Sequence, residues 1–150
     1  MNFMDIFSNY PLWCAALGWV VAQLMKTVVC MIQNKRFSFV SLVASGGMPS
    51  SHSATVCALA TAIAKTSGLQ SPEFALSCIF AFIVMYDASG VRRAAGEQAK
   101  ILNRMMESAA QGRTEEMPIH LKELIGHTPL QVFAGAGLGI LLALAMNLLF

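Results

Sequence analysis

The chain is 150 residues long, with a formal net charge of +2, 56% hydrophobic residues and only 12% charged ones. Soluble domains carry about a quarter charged residues, so this composition excludes an ordinary water-soluble enzyme and predicts an all-α integral membrane protein with the lipid bilayer as its surroundings. No nucleic-acid partner is expected.

Residues 11–32 form the first apolar stretch and reach the roughly 20 residues needed to cross a bilayer. Residues 1–10 hold no Lys or Arg, and no small-residue cleavage site follows a short apolar core, so a retained N-terminus is expected. Lys26 is the only charge in this stretch. It lies roughly 9 Å along the helix axis from the end of the run, close enough for its side chain to reach the polar side. An ammonium there costs roughly 2 to 3 kcal/mol unless it is paired or hydrated, which leaves two readings: a site residue, or a lysine that snorkels to lipid phosphates.

The next polar stretch, 34–52, ends in Pro49-Ser50-Ser51-His52. Two shorter apolar stretches follow at 53–66 and 72–86. The first is rich in small residues (Ser53, Ala54, Thr55, Ala58, Ala60, Ala62, Ala64), which predicts a helix enclosed by others rather than bathed in lipid. Ser51 is expected to cap it. Ser71-Pro72-Glu73 places a cap, a first-turn proline and a first-turn acid at the start of the next helix.

Residues 88–126 read as a helix in two pieces. Val91, Ala95, Leu102, Met105 and Ala109 recur at helical spacing, and Arg93 and Glu97 stand four apart on another side. The first piece is expected to lie on the membrane surface or to cap a site and to end at Gly112, and residues 117–125 form the second. Lys100, Arg104, Glu107, Arg113, Glu115, Glu116 and Lys122 read as a solvated face, and His120 as a surface residue. Thr128-Pro129-Leu130-Gln131 then reads as a capping box opening the last apolar stretch, 129–150.

The expected architecture is a bundle of about four membrane-embedded helices with an amphipathic surface insertion. Residues 1–150 form a single domain, because no linker, low-complexity tract or repeat interrupts them. Cys14, Cys30, Cys57 and Cys78 fall at irregular spacing inside apolar runs and read as buried free thiols, with neither a metal-ligand pattern nor a disulfide framework.

If the four stretches alternate, residues 34–52 and 88–128 share one side. They carry Lys35, Arg36, Arg92, Arg93, Lys100, Arg104, Arg113 and Lys122, eight of the ten basic residues. The positive-inside rule predicts that this side is cytoplasmic, in a bacterial plasma membrane. His52 and His127 both stand at helix starts on that same side, where unpaired backbone N–H groups and the helix dipole favour an anion. A phosphoryl group is the expected guest.

Pro49-Ser50-Ser51-His52 resembles the P-S-G-H motif of the type 2 phosphatidic acid phosphatase and vanadium haloperoxidase superfamily. The run from Gly126-His127 through the Ala-Gly-rich stretch to Gly139 resembles that superfamily's H-x-x-x-D and the helix after it. With Tyr86-Asp87-Ala88-Ser89-Gly90-Val91-Arg92-Arg93 and Gly96-Glu97-Gln98-Ala99 between them, the chain looks like a divergent small branch, from about Gln23 onward. The resemblance implies a lipid phosphate phosphatase, acting on a phospholipid or isoprenoid phosphate with no metal or cofactor. His127 would be the nucleophile that forms a phosphohistidine, and His52 the general acid for the leaving alcohol. Lys26, Ser50, Ser51, Arg92 and Arg93 would hold the phosphate oxygens.

Three positions depart from the superfamily pattern. Gln33 stands where an arginine seven after the lysine is expected, Leu121 where one six before His127 is expected, and Gln131 where the orienting acid is expected. Lys35 and Arg36 follow two and three residues after Gln33, and the cation expected at Leu121 must come from Arg92 or Arg93 or be absent. A neutral amide can hold an imidazole but does not stabilise its charged form as a carboxylate does, unless Asp87 substitutes. The alternative function is therefore a catalytically silent binder or translocator of lipid phosphates. Gln131 has a second reading as a capping residue only, Asp87 as the end of a span or a clamp for the arginines, and Gly135, Gly137 and Gly139 as helix packing. A homodimer through Gly135 and Gly139 is a further expectation.

Overall fold

The computed structural model describes residues 3–34, 47–110, 121 and 126–149. After a 3-10 turn at Phe3–Ser8 come five helices: α1 (Tyr10–Asn34), α2 (Ser51–Thr66), α3 (Pro72–Ser89), α4 (Val91–Ala110) and α5 (Pro129–Leu149). No strand occurs among the described residues. The protein is an all-α membrane bundle, and α1, α2, α3 and α5 fall on the four apolar stretches. Among the described residues three stretches are long and apolar enough to cross a bilayer: Tyr10–Ile32, Pro72–Ser108, which runs through Gly90 from α3 into α4, and Pro129–Met146. The 16-residue α2 is about 24 Å long, short of the roughly 30 Å hydrocarbon core.

Packing explains how so short a helix is accommodated. Ala54, Ala58 and Ala62 of α2 are fully enclosed, and α2 lies against α1, α3 and α5. One cluster joins Cys14, Ala58, Ala62 and Ala143, with Tyr10 and Met146 over it, and a second joins Val56, Cys57, Ala81 and Ala136. The large side chains point the other way: Leu12, Leu24 and Val28 of α1, Leu76, Phe80 and Ile83 of α3, and Phe133 and Leu141 of α5 are all exposed. Small residues inside and large apolar ones outside suit a protein solvated by lipid, where burying leucine gains nothing and close backbone approach supplies the attraction.

Gly135 and Gly139 make that approach possible. A Cβ at Gly135 would lie 2.2 Å from the carbonyl oxygen of Ser50, and one at Gly139 2.2 Å from that of Ala54, whereas Gly137 meets nothing within 4 Å. Both glycines are thus taken up by α2 of the same chain.

The helix ends follow the sequence signals with one shift. Ser71 caps α3, its Oγ accepting from Phe74 N at 3.1 Å. The cap of α2 is Ser50 instead of Ser51, because Ser50 keeps an extended backbone (φ −71°, ψ 116°) and its Oγ accepts from Ser53 N at 3.4 Å. On α4 the buried side is Gly96, Ala99 and Asn103, while Val91, Leu102 and Met105 are 62%, 48% and 64% exposed. The apolar stripe thus faces away from the protein, as a membrane-surface helix requires. The expected stop at Gly112 and the second piece at 117–125 lie outside the described residues, as do Lys35, Arg36, Arg113, His120 and Lys122.

Candidate functional site

At one end of the bundle the last turns of α1 and α3 meet the first turns of α2, α4 and α5. The chain segments there are fastened backbone to backbone. Ser50 N donates to Gln131 O at 3.0 Å, joining the start of α2 to the start of α5, and His127 N donates to Ala88 O at 2.9 Å, joining the loop before α5 to the end of α3. Gly126, at φ +105°, has no room for a side chain, since a Cβ would lie 2.5 Å from Arg93 N and 2.8 Å from Arg92 C. Only glycine accepts both that conformation and that contact.

These bonds enclose a cavity of about 220 Å³ lined by His52, Ile83, Val84, Asp87, Ala88, Arg92, Gly126 and His127. Pockets for drug-sized molecules run from about 300 Å³ upward, so this one admits only a small group. Its apolar wall, Ile83 and Val84, belongs to α3, and Ile83 is 57% exposed. The N-termini of α2 and α5 both open beside it. There the N–H groups of Ser51 and His52 have no acceptor within their helix, and the dipoles favour an anion.

His127 is 3% exposed. Its Nδ1 lies 3.2 Å from Oε1 of Gln131, and its Nε2 is buried. Burial pushes the imidazole pKa below its ordinary value. Hydrogen bonds to the Gln131 side chain and to the Gly47 backbone offset part of this, and the charges of Lys26 and His52 add to it. His127 is therefore held as a neutral base, the protonation state a nucleophile needs. Arg92 donates through Nε to Oδ2 of Asp87 at 2.5 Å, with both side chains more than a third exposed. A pair so exposed adds little to stability but fixes the guanidinium beside the cavity. Lys26 is 3% exposed and donates to Oε1 of Gln23 at 2.8 Å. It is enclosed by protein, under Gly47, whose added Cβ would meet its side chain at 3.3 Å, and so does not reach out to lipid head groups.

The expected residues are thus distributed unevenly. His52, His127, Asp87 and Arg92 share one cavity. Arg93 abuts Gly126 through its backbone, and the cavity lining does not include its side chain. The Ser50 side chain is fully buried in capping α2 and bonds the Ser53 hydroxyl at 3.1 Å, and Ser51 is buried behind it. Asp87 faces Arg92, so the contact with the His127 ring falls to Gln131. Gln131 also completes the capping box: Thr128 N donates to its Oε1 at 3.1 Å, and its own N–H donates to Thr128 Oγ1 at 3.4 Å. Both readings of Gln131 hold at once. No cluster of metal-ligating side chains occurs among the described residues.

Sequence reasoning missed Gln23, whose only signal is its place three residues before Lys26 on the same helix face, and Asn103. Asn103 is 2% exposed, and its amide makes two bonds of 2.9 Å with the backbone of Leu121, holding the returning chain against α4. An asparagine inside an amphipathic helix gives no hint of that role.

Comparison with known proteins adds to this geometry. Residues 7–142 match the model of the divergent PAP2 family. The chain is 40% identical over 157 aligned positions to an uncharacterized membrane protein of Bacillus subtilis (strain 168), YuiD, with 98% of this chain and 99% of that protein covered. No solved structure matches. The family match over nearly the whole length, together with two histidines at two helix starts around one cavity, places the chain plainly: it belongs to the divergent PAP2 family.

Proposed function

We propose that this protein is a lipid phosphate phosphatase, working at the membrane surface through a phosphohistidine intermediate. The observation that carries the reading is the single cavity that His127 shares with His52 and Arg92, beside the N-termini of two helices that favour an anion.

In the first step the Nε2 lone pair forms an N–P bond while the P–O bond to the lipid breaks. Burial and the charges of Arg92 and Lys26 lower the His52 pKa as well, with Asp87 opposing them, so His52 would take up its proton as the phosphate dianion binds and then deliver it to the departing oxygen. In the second step His52, now neutral, takes a proton from water as the water oxygen bonds phosphorus and the N–P bond breaks, its electron pair returning to Nε2, which releases inorganic phosphate and restores both histidines. Arg92 and the N–H groups at the start of α2 would hold the equatorial oxygens as negative charge builds there, and Lys26 would supply positive potential from beneath. The lipid would enter past Ile83 and Val84, with its chain left in the bilayer. The site would face the cytoplasm of a bacterium, following the distribution of basic residues.

One observation favours a second reading, a silent binder of lipid phosphates: the group against His127 is a neutral amide, which does not stabilise an imidazolium as a carboxylate would. Hydrolysis of a panel of phospholipid and isoprenoid phosphates by purified protein in detergent separates the two. The phosphatase reading expects turnover that orthovanadate inhibits and His127→Ala abolishes. Equal activity in wild type and His127→Ala would overturn it.

A further inference from the structure

Inside the first apolar span three polar residues share one buried face. Gln23, Lys26 and Thr27 are 7%, 3% and 7% exposed, while Leu24, Met25 and Val28 beside them point outward. Nζ of Lys26 donates to Oε1 of Gln23 at 2.8 Å. An ammonium only donates, so the amide must present its oxygen. Thr27 Oγ1 donates to the Gln23 carbonyl at 2.9 Å, which brings a third polar group to the same place. The direction of the lysine bond is informative. α1 runs toward the site, so Gln23 lies three residues deeper in the span than Lys26, about 4.5 Å along the axis. A lysine near the end of a span lowers its cost by reaching outward to head groups, whereas this one is bonded back into the bundle, a costly place for a charge. What it gains there is a position beneath the site. Gly47, at φ +98°, leaves little room over it, since an added Cβ would meet Lys26 Cγ at 3.3 Å. The Gly47 backbone is in turn hydrogen-bonded to the ring of His127. One residue thus touches both the lysine stem and the proposed nucleophile.

We infer that Gln23 is a positioning residue: it holds the Lys26 ammonium inward, beneath the loop that carries Gly47, through a neutral acceptor that fixes the charge without cancelling it. Its use in catalysis rests on the phosphatase reading, whereas its effect on an anion in the site does not. The other cation at the cavity supplies a contrast. Arg92 is bonded to the carboxylate of Asp87, which offsets much of its field, while the acceptor that α1 offers Lys26 is an amide. The charge of Lys26 is felt across the site. Burial lowers the pKa of His52 on α2 and of His127 before α5, and Lys26 lowers both further. With Asp87 of α3 and Arg92 of α4, these are the charged and titratable groups around the cavity among the described residues. A carboxylate at position 23 would hold the ammonium as firmly and would set a negative charge against it, so the amide keeps the site attractive to an anion.

Calorimetry of orthovanadate and inorganic phosphate binding to the full chain in detergent tests this. Gln23→Met keeps the volume and removes the acceptor, and affinity for both anions should fall roughly tenfold, the low end for a hydrogen bond to a charged group. Placed on Lys26→Met, the same change should cost less than about twofold, because the two residues act through one ammonium. Gln23→Glu keeps an acceptor and adds the opposing charge. It should weaken both anions as well, and the His127 pKa, read by NMR of labelled histidine, should rise toward its ordinary value. A residue that only satisfied a buried lysine would be replaced by glutamate without loss. Wild-type affinity in Gln23→Glu, or a loss from Gln23→Met that is as large without Lys26 as with it, would overturn the role. If Gln23→Met does not fold, Gln23→Glu decides by itself. The expected losses of anion affinity in a protein that hydrolyses no phosphate would leave the role standing and overturn the phosphatase reading instead.

Discussion

Gly135→Ala is the substitution whose outcome the packing fixes most firmly. The new Cβ would lie 2.2 Å from Ser50 O, against about 3.4 Å for ordinary contact, so α5 and the start of α2 must part by about 1.2 Å. Ser50 is fully buried and tied to Gln131 by its own N–H, so nothing soft is available to give way. Overpacking of this kind costs about 1 to 3 kcal/mol, while replacing glycine by alanine inside a helix returns about 0.5 to 1 kcal/mol. A net loss of about 1 to 2 kcal/mol is expected. Gly137→Ala meets nothing within 4 Å and should show the helix gain alone. Thermal unfolding of the two variants in one detergent, read by circular dichroism, should therefore move in opposite directions. Orthovanadate affinity should fall for Gly135→Ala, because the displaced backbone carries the N–H groups beside His52. Equal stabilisation by both alanines would refute the close contact of α2 with α5, and with it the placement of the site.

Further outcomes follow from the same geometry. Lys26→Met should insert and fold at least as well as wild type, yet lose roughly ten- to a hundredfold in orthovanadate affinity, the size of one charge-assisted bond; unchanged affinity would remove Lys26 from the site. Because the folded His127 pKa lies below its ordinary value of 6.5, hydrolysis should persist below that pH and fail only as the pH falls through the lowered value. The contribution of this group to stability is likewise complete above about 6.5 and is lost as acid protonates the buried ring; an acid limb at or above the ordinary imidazole value would contradict the burial argument. On a background lacking the native cysteines, Gln111→Cys should react with an impermeant thiol reagent only after the cytoplasm is opened, and labelling of intact cells would place the site outside.

The four apolar stretches and the caps of α3 and α5 were legible because each is a local signal: run length, a serine or threonine at the start, a proline in the first turn. The centrality of α2 was legible from its small residues, which make sense only against other helices. Less local facts stayed hidden. The shift of the cap from Ser51 to Ser50 depends on how the backbone enters the helix from Pro49. Whether Gly135 and Gly139 serve the chain itself or a second copy is a matter of which helix lies across them, and both answers have the same sequence pattern. Arg92 and Arg93 could not be told apart until the bend at Gly90 turned one into the cavity and left the other with only its backbone against Gly126. Gln131 was readable as a cap or as a partner of His127, and only geometry shows one oxygen serving both.

The central claim is that His127 takes the phosphoryl group. Incubating purified protein with a lipid phosphate radiolabelled on phosphorus, quenching within milliseconds to seconds and digesting to peptides tests it directly. The account predicts acid-labile, alkali-stable label on the peptide that contains His127 in wild type, and none in His127→Ala. Hydrolysis that proceeds with no such label, or with equal label in His127→Ala, would contradict it.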